Sequence, residues 1–245
     1  MSKPESGWRV AIVDSGLRAD AALRVAAARR FVDDDGAVLE QEPVEDALGH
    51  GTRVAQVIVR MPRPPELLIA QALDARGAAT PAAIAAAIDW SHRQGAQLVH
   101  LSLGLAQDRA VLARAVEQAL RAGLLIVASA PARGALPYPA AYPGVMAATG
   151  DARCAREQIS ALGRPGADFG GCVLQAATMP AVARMGGAEA VPGAAPARGG
   201  ASIGAAHLTR FVVQHLLAGS SPAQVWEQLR ARATFLGRER RVPGD

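Results

Sequence analysis

The sequence predicts an α/β fold of three layers, a mostly parallel sheet with helices on both faces. One observation is the alternation of short runs too apolar to face water with stretches of helical character. The other is composition. Of 245 residues, 50% are hydrophobic but only 4% aromatic, so Ala, Val, Leu and Ile must fill the interior. Such side chains suit close helix–sheet packing better than an aromatic-filled barrel. The length serves one large domain or two small ones. With no internal repeat in view, residues 1–245 are read as a single domain.

The first element, Arg9-Val10-Ala11-Ile12-Val13-Asp14, is an apolar run ending in a carboxylate and then Ser15-Gly16, the pattern of a buried parallel strand. A helical run over 53–60 follows Gly49-His50-Gly51-Thr52, and a second strand is expected at 66–73 after the breaker Pro62-Arg63-Pro64-Pro65. Thr80-Pro81 supplies an N-cap and an N1 proline for a helix with Ile84 and Ile88 on one face, stopped at Gly95. Strands are expected at 97–103, 124–128 and 144–149, with a helix over 108–122 stopped by Gly123. Residues 176–201, rich in Ala, Gly and Pro, are expected to form a long surface loop, unless part of the segment pairs as a ribbon. Helices follow over 202–217, closed by Gly219, and from Ser220-Ser221-Pro222 to about 233. The tail Arg238-Glu239-Arg240-Arg241 is expected to be solvated.

Composition also excludes functions. The net charge is +4, and the basic residues, of which Lys3 is the single lysine, scatter without aromatic interleaving. That is not a nucleic-acid surface. No run of 18 apolar residues without charge exists, so no membrane span is expected. Met1 to Gly7 lack an apolar h-region, which points to a cytoplasmic protein with Cys154 and Cys172 as reduced thiols. No G-x-G-x-x-G turn follows the first strand, which excludes a Rossmann-type nucleotide binder. No cofactor or metal is expected.

In an open α/β sheet, functional groups gather at the carboxyl ends of strands and the helix starts beyond them. Asp14, His50 and Ser202 meet that description, on three separate elements. A serine hydroxyl is a poor nucleophile until a histidine takes its proton, and the imidazole needs a carboxylate to fix its tautomer. His50 is therefore expected within hydrogen-bond reach of both Asp14 and Ser202.

The sequences around these residues resemble those of the subtilisin-like serine peptidases, the subtilases. VAIVDSG at 10–16 is similar to the family's catalytic-aspartate strand, and GHGTRVAQVI at 49–58 to its histidine motif. GGASIGAAHLTRF at 199–211 resembles the nucleophile motif. LVHLSLG at 98–104 resembles the substrate-pairing strand, and YPAAYPGVMAATG at 138–150 the family's Y-P-A-x-Y-P segment. The resemblance covers residues 8–235. It implies that Asp14 orients His50, that His50 is general base and then acid, and that Ser202 attacks the scissile carbonyl. It further implies that Ser102, Leu103 and Gly104 hydrogen-bond the substrate backbone as an added strand. Ala128, Ser129 and Ala130 would form the opposite wall of the first specificity pocket. His207 matches a structural histidine of the family, with no catalytic role.

The chain departs from the family pattern at the oxyanion hole. Where subtilases carry A-A-G-N, this sequence places Pro131, which has neither a side-chain donor nor an N–H. In subtilisin, a member of that family, losing one such donor costs about 10²–10³ in kcat. The N–H of Ser202 remains, and Arg133 is either a substitute donor or a solvated loop arginine. Milder departures are Ala201, Ile203, Gly204-Ala205-Ala206 and, in the histidine motif, Arg53. No acidic loop for calcium is evident. Asp14 lies so near the start that the sequence leaves no room for a pro-segment, and the chain is expected to fold alone unless a precursor has been trimmed. The layout is similar to that of small subtilisin-like maturation proteases, among them the one processing the small subunit of quinohemoprotein amine dehydrogenase. The function expected is thus an intracellular serine endopeptidase that removes a leader peptide from a dedicated protein or peptide substrate. Its partners would be that substrate and other maturation enzymes, not nucleic acid or membrane. The alternative is a catalytically inactive subtilase fold serving as a peptide-binding or scaffold module.

Overall fold

Residues 7–163, 165–174 and 200–239 are described by a computed structural model of the chain. The first half of the chain runs β1 (Arg9–Asp14), β2 (Val25–Asp34), β3 (Ala37–Gln41), α1 (His50–Ile58), β4 (Glu66–Gln71), α2 (Pro81–Arg93) and β5 (Leu98–Leu101). Then come α3 (Ala110–Arg121), β6 (Leu125–Ser129), β7 (Met146–Gly150), β8 (Ile159–Ala161) and β9 (Phe169–Gly171). After the undescribed stretch follow α4 (Ala201–Leu217), α5 (Pro222–Arg232) and β10 (Phe235–Leu236). The strands form one sheet in the order β10-β8-β9-β7-β6-β5-β1-β4-β2-β3. Only β2–β3 and β8–β9 pair antiparallel; the other neighbours are parallel. All five predicted strand runs lie in this sheet. The loop expected over 176–201 lies outside the described residues up to 199, and Ala201 already belongs to α4.

Alternation along the central strands generates the layers. Val10 and Ile12 of β1, with Leu67 and Ile69 of β4, point to the face covered by α1, α4 and α5, and share one buried apolar cluster with Val54, Phe211 and Leu229. Their sequence neighbours Ala11, Val13, Leu68 and Ala70 point to the other face, where Ile84, Ile88 and Leu112 of α2 and α3 cover them. A period of two thus gives each central strand two buried faces. Thr80 caps α2 by accepting the Ala83 N–H at 3.1 Å, with Pro81 in the first turn. Gln224 reaches back to the Ser221 N–H at 2.9 Å to open α5.

The β2–β3 hairpin is not among the strands read from the sequence. It turns at Asp35-Gly36 and is anchored by Phe31, which packs edge-on to Trp90 of α2 with ring centroids 5.9 Å apart. Among the described residues, no helix is long and apolar enough to cross a membrane. The consequence for the site is that β1, β5 and β6 are parallel neighbours, so Asp14, Ser102 and Ser129 leave the sheet side by side at its carboxyl edge.

Candidate active site

Asp14 is the last residue of β1 and is 1% exposed. His50 is the first residue of α1. Its Nδ1 lies 2.8 Å from Asp14 Oδ1 and 3.0 Å from Oδ2. Gly51 explains the closeness: a Cβ on it would sit 2.3 Å from the Gly16 carbonyl oxygen and 3.2 Å from Asp14 Cβ. Only glycine lets α1 start against the turn that leaves β1. The Asp14 hydrogen bond raises the His50 pKa above its ordinary value, against the opposing effect of burial. A neutral His50 therefore carries its proton on Nδ1, facing the carboxylate, and turns the Nε2 lone pair outward.

The carboxylate that seats α1 is Asp46, a residue outside the three motifs. It is 1% exposed. It accepts hydrogen bonds from Ser15 Oγ (2.8 Å), Gly49 N (2.8 Å), Thr52 N (3.0 Å) and Thr52 Oγ1 (2.7 Å). Ser15 Oγ in turn accepts the Gly51 N–H at 2.9 Å. Burial raises the Asp46 pKa, but the hydrogen bonds from Thr52, Ser15 and Gly49 outweigh it and hold the carboxyl below its ordinary value. A depressed folded-state pKa stabilises the fold at neutral pH and loses that contribution as pH falls through the acid range. Asp46→Ala leaves several buried donors unpaired and is expected to cost about 3 kcal/mol. Urea denaturation at pH 7 and at pH 3 checks both points, the difference between parent and variant shrinking at the lower pH.

Ser202 is the second residue of α4 and half-buried. The helix starts at the same edge of the sheet, for a Cβ on Gly150, at the end of β7, would meet the Gly200 carbonyl at 3.1 Å. Two residues on, Gly204 lets α4 touch the sheet: a Cβ there would lie 2.2 Å from the Thr149 carbonyl oxygen. The N–H of Ser202 falls in the first helical turn, where no intrahelical acceptor exists. Asp14 and His50 are thus brought into contact and Ser202 to the same edge. Among the described residues, no hydrogen bond joins His50 to Ser202.

The remaining candidates line this edge. Past Leu101, the N–H and C=O groups of Ser102, Leu103 and Gly104 have no hydrogen-bond partner among the described residues. The chain resumes pairing at Leu105, whose N–H donates to the Tyr138 carbonyl (2.7 Å) and whose carbonyl accepts the Tyr138 N–H (2.9 Å). Three residues of free backbone next to Asp14 are what an extended peptide pairs with. Ala128, Ser129 and Ala130 are buried, and Ala130 donates to the Ala148 carbonyl at 2.7 Å. Pro131 and Arg133 are exposed, and Arg133 has no hydrogen bond or ion pair among the described residues. His207 donates from Nε2 to the Leu174 carbonyl at 3.0 Å, and burial lowers its pKa to about 4. Cys154 and Cys172 are buried and not joined in a disulfide.

The chain is similar to known proteases over much of its length. The chain is 32% identical over 154 residues to a thermostable alkaline protease of Halalkalibacterium halodurans, covering 58% of this chain and 41% of that protein. It is 31% identical over 153 residues to subtilisin Savinase of Lederbergia lenta, covering 58% and 55% respectively. Against the minor extracellular protease Epr of Bacillus subtilis it is 32% identical over 151 residues, 57% of this chain and 22% of Epr. The matches thus span about half or less of these relatives' own length. The sequence model of the Subtilase family matches residues 5–216, from the strand of Asp14 to the last turn of α4. This chain belongs to the subtilase family.

Proposed function

We propose that this protein is an intracellular serine endopeptidase that removes a leader peptide from a dedicated protein or peptide substrate. The observation that carries the reading is the buried Asp14 carboxylate on His50 Nδ1, at 2.8 Å and 3.0 Å, at the sheet edge where α4 presents Ser202. In this reading the peptide pairs as an added strand with Ser102, Leu103 and Gly104. His50 Nε2 takes the Ser202 hydroxyl proton as Oγ attacks the scissile carbonyl, and Asp14 stabilises the imidazolium. The Ser202 N–H, at the positive end of α4, faces the oxyanion. His50 then gives its proton to the leaving amine, and water repeats the sequence on the acyl-enzyme. The absence of a hydrogen bond between His50 and Ser202 among the described residues is compatible with this, because catalytic hydrogen bonds tighten on substrate binding.

The narrow duty follows from Pro131. An oxyanion hole short of a side-chain donor gives slow turnover of generic peptides, which suits a partner-specific maturation step. Unpaired Cys154 and Cys172 suit a reducing compartment. Pro131 also favours the second reading, a catalytically inactive subtilase that binds peptides. A fluorophosphonate probe separates the two. Labelling of the parent and none of Ser202→Ala supports the enzyme; no labelling of either, with retained peptide binding, supports the module.

A further inference from the structure

We propose that His100 is a positioning residue, whose ring ties Ser102, at the head of the unpaired segment, to Thr209 of α4 and so sets the spacing between bound peptide and Ser202. The proposal rests on the endopeptidase reading above.

His100 lies in β5 at the centre of the sheet, between Ile12 of β1 and Val127 of β6, and is 0% exposed. Its Nε2 is 2.6 Å from Ser102 Oγ and its Nδ1 is 2.8 Å from Thr209 Oγ1. Burial pushes its pKa down to about 4, with Asp14 acting to raise it and His50 to lower it. The ring is therefore neutral at pH 7, with one N–H and one lone pair, and each finds a hydroxyl able to take the complementary role. Both hydroxyls are themselves buried.

The placement of the two partners gives the ring its meaning. Residues 100 and 102 project to the same side of an extended chain, so the bond to Ser102 fixes the direction in which the chain leaves β5. Thr209 stands seven residues beyond Ser202 on α4, which returns it to nearly the same helical face, roughly 10 Å further along the axis. The stripe of α4 that carries the candidate nucleophile is thus pinned to the strand that presents the free backbone. A leucine would fill this core position at less desolvation cost. A fully satisfied polar group instead specifies one arrangement of β5 against α4. Misplacement of a reacting carbonyl by about 1 Å costs on the order of 10²-fold in rate.

The test compares His100→Leu and Thr209→Val with the parent on a chromogenic tetrapeptide and on a small fluorophosphonate. The first reaction needs a paired peptide strand; the second needs only the triad. For either variant, kcat for the tetrapeptide is expected to fall between about 10- and 100-fold with KM little changed. The labelling rate per folded molecule stays at the parental value, and Thr209→Ser restores kcat. If peptide turnover and labelling fall together, in proportion to the folded fraction read by circular dichroism, His100 is a structural residue and the proposal fails. Unchanged kcat overturns it as well. Should His100→Leu not fold, Thr209→Val and Thr209→Ser decide alone. A parent inert to both reagents overturns the endopeptidase reading, and the proposal with it.

Discussion

Asp14→Asn is expected to lower kcat/KM on peptides by about 10⁴ and to move the acid limb of the pH profile downward. Asp14 accepts from His50 Nδ1 with both oxygens, at 2.8 Å and 3.0 Å, from a site 1% exposed. Asparagine keeps the shape but offers a carbonyl oxygen or an amide N–H. The amide N–H holds the imidazole in the wrong tautomer, and neither group stabilises its cation. The direction of the pH shift follows from the same contact. Asp14 raises the His50 pKa above its ordinary 6.5, so the unprotonated base needed for attack accumulates only above that value. Activity of the parent therefore rises with pH through a limb displaced upward. In Asp14→Asn the carboxylate contribution is gone, and burial and the Arg53 charge act to lower the pKa against only the more distant Asp46, so the limb moves to lower pH. The raised pKa also has a consequence for stability, present below the unfolded-state value and lost as pH rises through the folded one. Profiles of kcat/KM against pH for parent and variant check the prediction. An unmoved limb means that His50 is not the titrating base.

What the sequence discloses and what it conceals divide along physical lines. β1, β4, β5, β6 and β7 are buried on both faces, so their apolar runs stand out in one dimension. The β2–β3 hairpin buries little besides Phe31, and its Arg29-Arg30 and Asp33-Asp34 break any run. Its one local signal is the Asp35-Gly36 dipeptide, a turn pair that joins antiparallel strands. Asp14, His50 and Ser202 were legible because each sits beside small residues at a strand or helix end. Asp46 was not, since its partners Ser15 and Thr52 are separated from it by 31 and six positions and converge only when α1 docks on β1. The role of His100 is concealed within an apolar strand for a related reason. Its partner Thr209 lies 109 residues away, and only the packing of α4 on β5 joins them.

Pro131→Asn is expected to raise kcat on short peptides, by no more than the roughly 10²–10³ that one oxyanion donor contributes. Pro131 follows the carboxyl end of β6, is exposed, and donates nothing from side chain or backbone. In the endopeptidase reading this leaves the Ser202 N–H as the donor that the chain itself supplies at a helix terminus. An amide placed beside it meets negative charge that develops only as Oγ attacks, so KM is expected to change little. Two features limit the gain. Proline fixes its own φ near −65°, and asparagine frees the backbone that would have to aim the amide. Arg133, exposed and without a partner among the described residues, is close enough in sequence to reach the same oxygen as a charged donor. Arg133→Ala separates these cases. If the arginine fills the hole, its loss lowers kcat by a similar 10²–10³, approximately, and Pro131→Asn then adds little to the parent. If it does not, Arg133→Ala leaves kcat unchanged and Pro131→Asn shows its gain. Should the parent and both variants stay inert to peptides and fluorophosphonates while extended peptides still bind, the residues around Pro131 serve recognition, and the chain is a peptide-binding relative of the proteases it resembles.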